Sequence, residues 1–464
     1  MAVNQITEGV IWKQLLYFFF PILFGTFFQQ LYNTADAVIV GQFVGTQALA
    51  AVGGATGSLI NFFVNLFVGL ASGTTVVIAQ AYGAHDAESV GGTVHTSVAL
   101  ALAAGLGLTA VGVAAAPWAL SAMGTPADIM DFALTYLRVY MLGTIPSFLY
   151  NVGSGILRAV GDTRRPLYFL ITACLVNIAL DVVLVAVLGM GVLGAALATI
   201  LSQGVSAVLV LVSLTRAETV YRLDWKQVRF HGRLLGDILR VGVPAGLQSN
   251  MYAISNILIQ TAINGFGTAT VAAWTAHGKV DGFFWMILGA YGISITTFAG
   301  QNFGAQKYDR IRRSVRVCLA LGFGSAVLMS VLYCSLAPYL LGLFTRDAEV
   351  VSIGLDMVRQ LVPYYFTYVC IEILAGAARG CGCSLAPMLM TCGGVCVLRV
   401  AWIFILLPLR PELSTVLVSY PASWVFTSVL FIFYYLQGGW LRGRIRKMGY
   451  APEERGRKKE AGAH

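Results

Sequence analysis

Apolar runs of roughly 20 residues or more, the length a helix needs to cross about 30 Å of hydrocarbon, recur along the chain. Twelve can be counted, centred near Phe24, Val68, Gly105, Leu142, Val176, Leu201, Ile254, Leu288, Leu321, Tyr364, Val397 and Phe426. Only short polar segments separate them, so no room is left for a soluble domain. The pattern predicts an all-α membrane protein with twelve transmembrane helices. Composition agrees: 58% of the 464 residues are hydrophobic and 11% charged, with mean hydropathy +0.77. Soluble proteins carry about 25% charged residues.

The second half of the chain repeats the first. "FPILFGTFFQQLYN" around Pro21 aligns with "VPAGLQSNMYAISN" around Pro244, pairing Asn33 with Asn256. "AQAYGA" aligns with "GQNFGA", "YLRVY" with "MVRQL", and "RAVGDTRRP" with "RGCGCSLAP", all at offsets near 221 residues. Each repeat holds six helices, and six is even, so the halves enter the membrane in the same orientation as parallel repeats. The expected organisation is a six-helix bundle over 1–214, a basic cytoplasmic linker over 215–237, a second bundle over 238–440 and a charged, disordered tail over 441–464. Gly83 and Gly304 suit left-handed helix C-caps. Pro166 and Pro387 suit first turns, where a missing N–H costs nothing. Pro21 and Pro244 instead fall inside membrane helices, where proline frees a carbonyl and bends the helix. Pro21 reads as either a hinge or a passive kink.

Net charge is +9, but placement argues against a nucleic-acid partner. If the termini and even-numbered loops share one side, that side holds 24 of the 30 Lys and Arg, and the other holds only Arg346 and Arg410. The positive-inside rule then places both termini in the cytoplasm. No cleavable secretion signal is visible in "MAVNQITEGVIWKQ", so the first helix is expected to act as its own insertion signal. The eight cysteines lack C-x-x-C spacing and read as small packing residues.

Polar residues inside the spans are costly, an aspartate roughly 2.5–3.5 kcal/mol at the bilayer centre. Gln29, Asn33 and Asp36 share one face of the first helix at i, i+4, i+7. Asn177 and Asp181 are spaced i, i+4 in the fifth, and Thr199, Ser202 and Gln203 share a face of the sixth. Counting from the outer-loop glycines brings Asp36, Asp181 and Thr199 to a similar depth. Two carboxylates among amides and hydroxyls can hold a proton or bind a small hard cation through oxygen. The alternative is a static network tying three helices together. In the second half Ile259 and Trp402 replace the two acids. There the candidates are Tyr252, Asn256 and Gln260 in the seventh helix, His277 and Asp281 as an expected local pair in the eighth, and Glu372 in the tenth. Arg399 is a further intramembrane charge.

With these residues in hand, the chain resembles the multidrug and toxic compound extrusion (MATE) family over about residues 10–440. The resemblance rests on "FPILFGTFFQQLYNTADAVIVGQFVG", the two Q-x-[FY]-G-A helix ends, "LRAVGDTRRP" with "ARGCGCSLAP", and the duplicated twelve-helix plan. It is most similar to the bacterial branch named after a DNA-damage-inducible protein. The resemblance implies two pseudo-symmetric six-helix lobes around a central cavity, in the bacterial cytoplasmic membrane. It also implies alternating access that exports small organic, often cationic, compounds against H⁺ or Na⁺. The cation-coupling positions of proton-coupled members read Asp36, Asn177, Asp181 and Thr199 here, and the first-helix bending proline reads Pro21. Na⁺ is the alternative occupant of that site. Members with a second-lobe sodium site carry a seventh-helix carboxylate that this sequence lacks. Lipid is the surrounding partner; no cofactor and no obligate protein partner are implied, and a monomer is expected.

Three other functions compete. A flippase for lipid-linked sugars or cell-wall precursors would place several arginines in its cavity, and only Arg399, Arg138 and Arg359 are available. An intramembrane enzyme needs a Ser/His or His/Asp constellation, and His277 is the sole histidine well inside an apolar segment. A channel fits poorly with duplicated, kinked and unequal halves.

Overall fold

The computed structural model describes residues 6–450, and among these the regular structure is entirely helical. In chain order the α-helices are α1 Ile11–Phe43, α2 Thr46–Gly53, α3 Ala55–Gly83, α4 Ala87–Ala122, α5 Met130–Leu142, α6 Thr144–Ala159, α7 Arg164–Asp181 and α8 Gly191–Thr215. The second half contributes α9 Gly232–Asn264, α10 Thr268–Gly304, α11 Tyr308–Gly342, α12 Ala348–Leu361, α13 Tyr365–Gly380, α14 Leu385–Thr391, α15 Leu398–Leu406, α16 Leu413–Gln437 and α17 Gly439–Met448.

Each of the twelve apolar runs falls on one helical span. Ten are long and apolar enough to cross a membrane, and α5 with α6 forms an eleventh bent by 48°. The twelfth is α9, whose polar residues Gln248, Asn250, Asn256, Gln260 and Asn264 make it less apolar. The bend in the fourth run sits at Gly143, just before Pro146; its counterpart in the tenth is a 3₁₀ turn over Val362–Tyr364 containing Pro363. Proline withholds an N–H from the ladder, so both runs break there. Outward-facing residues such as Leu106, Val187, Leu328, Phe404 and Phe433 are exposed. Such a surface calls for lipid. Trp118 and Tyr339, each following a proline at corresponding points of the two repeats, are both strongly exposed, as suits aromatics at a membrane interface.

The chain divides into two compact units, one built from residues 20–246 and the other from 6–19 with 247–450. The division does not follow the repeat boundary, because α1 and α9 each contribute to both units. In the first unit α3 packs on α6 and α4, and α7 and α5 pack on α8. The linker belongs to this unit: His95 accepts the Asp224 N–H at 3.1 Å, and Thr96 contacts His231 Nδ1 at 2.9 Å. The first half of α9 crosses α3 at Gly69, Gly73, Gly242 and Gly246. A Cβ on Gly69 would lie 2.3 Å from Gly246 N, and one on Gly73 2.3 Å from Ile238 O.

In the second unit α10 packs on α13 and α11, and α13 on α16. The α10–α13 crossing copies α3–α6: Thr75 Oγ1 donates to Ala71 O at 2.9 Å, and Thr296 Oγ1 to Gly292 O at 2.7 Å. Where the first repeat has Ala71, the second has Gly292, and a Cβ there would lie 2.1 Å from Glu372 Oε1. The glycine makes room for the acid.

Three expectations are corrected. The left-handed residues after α3 and α10 are His85 and Gln306, not Gly83 and Gly304. The N–H groups of Asp86 and Lys307 reach back to Ala81 and Asn302, closing Schellman turns two residues later than expected. The tail is not irregular from 441: α17 runs to Met448 because Trp440, Leu441 and Ile445 are buried. Residues 451–464 lie outside the described residues. Finally, Cys334 is exposed while most other cysteines are buried. The repeats share a turn at Gly161 and Gly382, with φ of 99° and 84°, and Pro166 and Pro387 stand in first helical turns as the sequence implies.

Candidate functional site

Within the first unit, α1, α7 and α8 bring together the two acids, the amide and the hydroxyl singled out in the sequence. Asp36, Asn177, Asp181 and Thr199 are 7%, 0%, 0% and 2% exposed. The apolar cluster of Val40, Tyr136, Leu137, Val185, Val192 and Ala195 packs beside them and excludes water. Asp36 and Asp181 lie within electrostatic reach of each other. Asp181 closes α7 and leads into a π-helical turn over Val182–Val187. Such turns widen the helix locally and frequently mark functional sites.

The hydrogen bonding is incomplete. Asp36 Oδ1, both Asp181 oxygens and both side-chain polar atoms of Asn177 are buried with no partner. Native interiors pair the large majority of such atoms. Thr199 Oγ1 donates to Ala195 O at 3.0 Å, which leaves its lone pairs available, and Ser202 donates to Thr199 O at 2.8 Å. The donor set is oxygen-dominated: two carboxylates, an amide and a hydroxyl. That chemistry suits a proton or a hard cation rather than a soft transition metal. Among the described residues no group of three or more His, Cys, Asp or Glu forms a metal cluster.

Three tyrosines that the sequence reading missed complete the site. Tyr32 lies by Gln203, Tyr136 lies by Thr199, and both, with Tyr140, fall within electrostatic reach of Asp36. Tyr136 and Tyr140 stack on successive turns of α5 with centroids 6.2 Å apart. Their i, i+4 spacing was the available signal. Gln29 and Asn33 are exposed on α1 and do not join the buried group. Pro21 is half-buried inside α1.

The second unit replaces this site with apolar packing. Ile259 joins Ile263, Ile403 and Val416, and Trp402 Nε1 donates to Thr415 O at 3.0 Å. The second-half candidates Tyr252, Asn256, Gln260, His277 and Asp281 line a separate cavity of about 470 Å³ within that unit. His277 and Asp281 do not pair. His277 Nδ1 meets Tyr333 OH at 2.8 Å, while Asp281 accepts from Trp285 Nε1 at 2.6 Å and from Tyr365 OH. Glu372 lies against Gly292 and within electrostatic reach of Tyr252 and Tyr368, which share a 2.5 Å hydrogen bond.

Comparison with known proteins places this geometry in a family. The MatE family model matches residues 21–183 and again 244–405, one match per repeat. The probable multidrug resistance protein YoeA of Bacillus subtilis is 27% identical over 97% of this chain and 98% of its own length. The probable multidrug resistance protein NorM of Thermotoga maritima is 26% identical over 94% and 96%. Among solved structures, an outward-facing multidrug resistance MATE family transporter of the MOP superfamily superposes with TM-score 0.88 at 24% identity, covering 94% of this chain and 98% of that one. That likeness establishes the fold, two bundles of six spans. With both repeats matched by the family model, the chain belongs to the MatE family of membrane transporters.

Proposed function

We propose that this protein is a secondary active multidrug exporter that drives small organic compounds out of the cell in exchange for H⁺ or Na⁺, by alternating access. The observation that carries the reading is the set of unpartnered, buried polar atoms on Asp36, Asn177 and Asp181 inside membrane-spanning helices. Each unsatisfied group in hydrocarbon costs several kcal/mol. A set of this kind is understandable where a proton or cation is taken up and released in turn. Two like charges in a low-dielectric pocket repel, so loading one acid relieves the other. Asn177, Thr199 and the tyrosine hydroxyls can then re-pair around the neutralised acid, giving two arrangements of the same helices. Pro21, with no N–H to give the ladder of α1, is the point where that helix can bend in response.

The relatives named as multidrug resistance proteins support export of organic compounds. The charge asymmetry supports a cytoplasmic-membrane protein with both termini inside. No catalytic role is assigned to any residue, and the protein is taken to act as a monomer among lipids. Purified protein in proteoliposomes loaded with ethidium tests the reading when pH and Na⁺ gradients are imposed separately. Ethidium should move against its own gradient with one of the two ion gradients and stop when that gradient is collapsed. Movement that ignores both gradients would overturn the exchange mechanism.

A further inference from the structure

We propose that the cavity of the second unit is a binding site for planar aromatic carboxylates, with the ligand's carboxylate received by Arg399. At about 470 Å³ the cavity has the size of a small-molecule site. Its walls are largely aromatic. Trp424 stands 6.0 Å from Trp285, 6.0 Å from Tyr368 and 5.7 Å from Tyr420, all edge to face, and Trp274 lies 5.8 Å from Tyr420. Rings held edge to face leave flat surfaces turned into the space between them, against which another ring can lie.

The charges decide what the ring should carry. Both oxygens of Asp281 already accept a hydrogen bond, one from Trp285 Nε1 and one from Tyr365 OH. Arg399 has donors to spare. It is 3% exposed, and its Nε and Nη2 both donate to the neutral Ser423 hydroxyl at 3.2 and 3.0 Å. Its guanidinium carbon lies 3.9 Å from the centre of the Tyr420 ring. Ser423 spends its own proton on Tyr420 O at 2.8 Å. Among the described residues no carboxylate forms an ion pair with Arg399. A guanidinium has five N–H donors in a fork that matches a carboxylate, and an uncompensated cation in a membrane span is expensive. The hydrogen-bonding capacity left unmet in the cavity is therefore that of the cationic donor. The Tyr420 ring, 3.9 Å from the guanidinium carbon, and the two bonds to Ser423 hold the group in place, so an incoming carboxylate meets a fixed partner. This selectivity runs opposite to that expected of a pocket for organic cations. It concerns equilibrium binding, so it stands apart from the coupling role of Asp36 and Asp181.

Three probes of one shape test it by calorimetry on the purified full-length protein: 2-naphthoate, 2-naphthamide and 2-naphthylmethylammonium. The wild type should bind naphthoate about tenfold tighter than the amide, and the ammonium most weakly. Arg399→Gln should remove the preference, weakening naphthoate about tenfold while leaving the amide within about twofold. Arg399→Lys, which keeps the charge and loses the fork, should fall between. A wild type that ranks the ammonium first or binds all three alike would overturn the assignment, and that ranking needs no variant to fold. Naphthoate preference surviving in Arg399→Gln would overturn it as well.

Discussion

The glycine crossing between α3 and the first half of α9 gives a prediction whose size follows from distances. A carbon attached to Gly69 would stand 2.3 Å from Gly246 N, and one on Gly73 would stand 2.3 Å from Ile238 O. Non-bonded contacts of this kind are comfortable near about 3.5 Å, so α9 must retreat by roughly 1.2 Å to admit either methyl. Forced overpacking of this kind costs about 1–3 kcal/mol. A single retreat would admit both methyls, because Gly69 and Gly73 face the same helix one turn apart. Gly69→Ala and Gly73→Ala should each lower the thermal midpoint in detergent by several degrees, and the double variant should cost less than their sum. Gly107→Ala and Gly204→Ala are the controls, since nothing lies within 4 Å of a Cβ at either position. There the gain in helix propensity, roughly 0.5–1 kcal/mol, should leave stability unchanged or raised. Equal midpoints for Gly73→Ala and Gly107→Ala would refute the argument that backbone contact holds α9 to this unit.

Arg310 donates to the carbonyls of Ile6, Glu8 and Gly9 and to Gln14 Oε1, so Arg310→Gln should speed amide exchange of the segment before α1 by about tenfold; unchanged exchange would show that the clamp is idle. Pro21→Ala should leave membrane level nearly unchanged while lowering drug export by about tenfold if the bend is part of the cycle, and full export would mark a passive kink. Arg410→Cys should react with an impermeant thiol reagent in intact cells above the wild-type background, whereas Gly232→Cys should not; the reverse pattern would invert the topology.

How much of this was legible in the chain depends on what stands out against an apolar background. Asp36 and Asp181 did, because an acid in a membrane span has few innocent explanations, and Asn177 did through its i, i+4 spacing to Asp181. Tyr32, Tyr136 and Tyr140 did not, because a tyrosine on such a helix reads equally well as packing or interface. Only the arrival of α5 beside α1 distinguishes them. Gln29 and Asn33 share the helical phase of Asp36 yet are exposed. Phase fixes the direction a residue points, whereas burial also depends on whether a neighbour reaches that turn. The cluster around Val40 and Tyr136 covers the end of α1 that carries Asp36.

The duplication was legible through its turns, Gly161 with Gly382 and Pro166 with Pro387, whose backbone demands preserve residue type. The matched crossings at Thr75 and Thr296 escaped notice because a hydroxyl bonded within its own helix leaves little mark on sequence. Gly83 and Gly304 misled for the opposite reason: a glycine at a helix end suggests a cap, but the left-handed turn falls two residues on, at His85 and Gln306. Nor could the sequence show that the linker is fastened to α4, since His95 and Asp224 lie more than a hundred residues apart.

The central claim is that Asp36 and Asp181 act as one cation-exchanging unit, and ion-driven export by their variants tests it most directly. Asp36→Asn, Asp181→Asn and the double variant, reconstituted at equal density, would be compared with the wild type for gradient-driven ethidium transport. Each asparagine resembles a permanently protonated acid, so all three should lose gradient-driven transport while still binding ethidium at equilibrium. The double variant should be little worse than either single one, as expected for residues working as a unit. Wild-type export rates in both single variants under an imposed gradient would contradict the account.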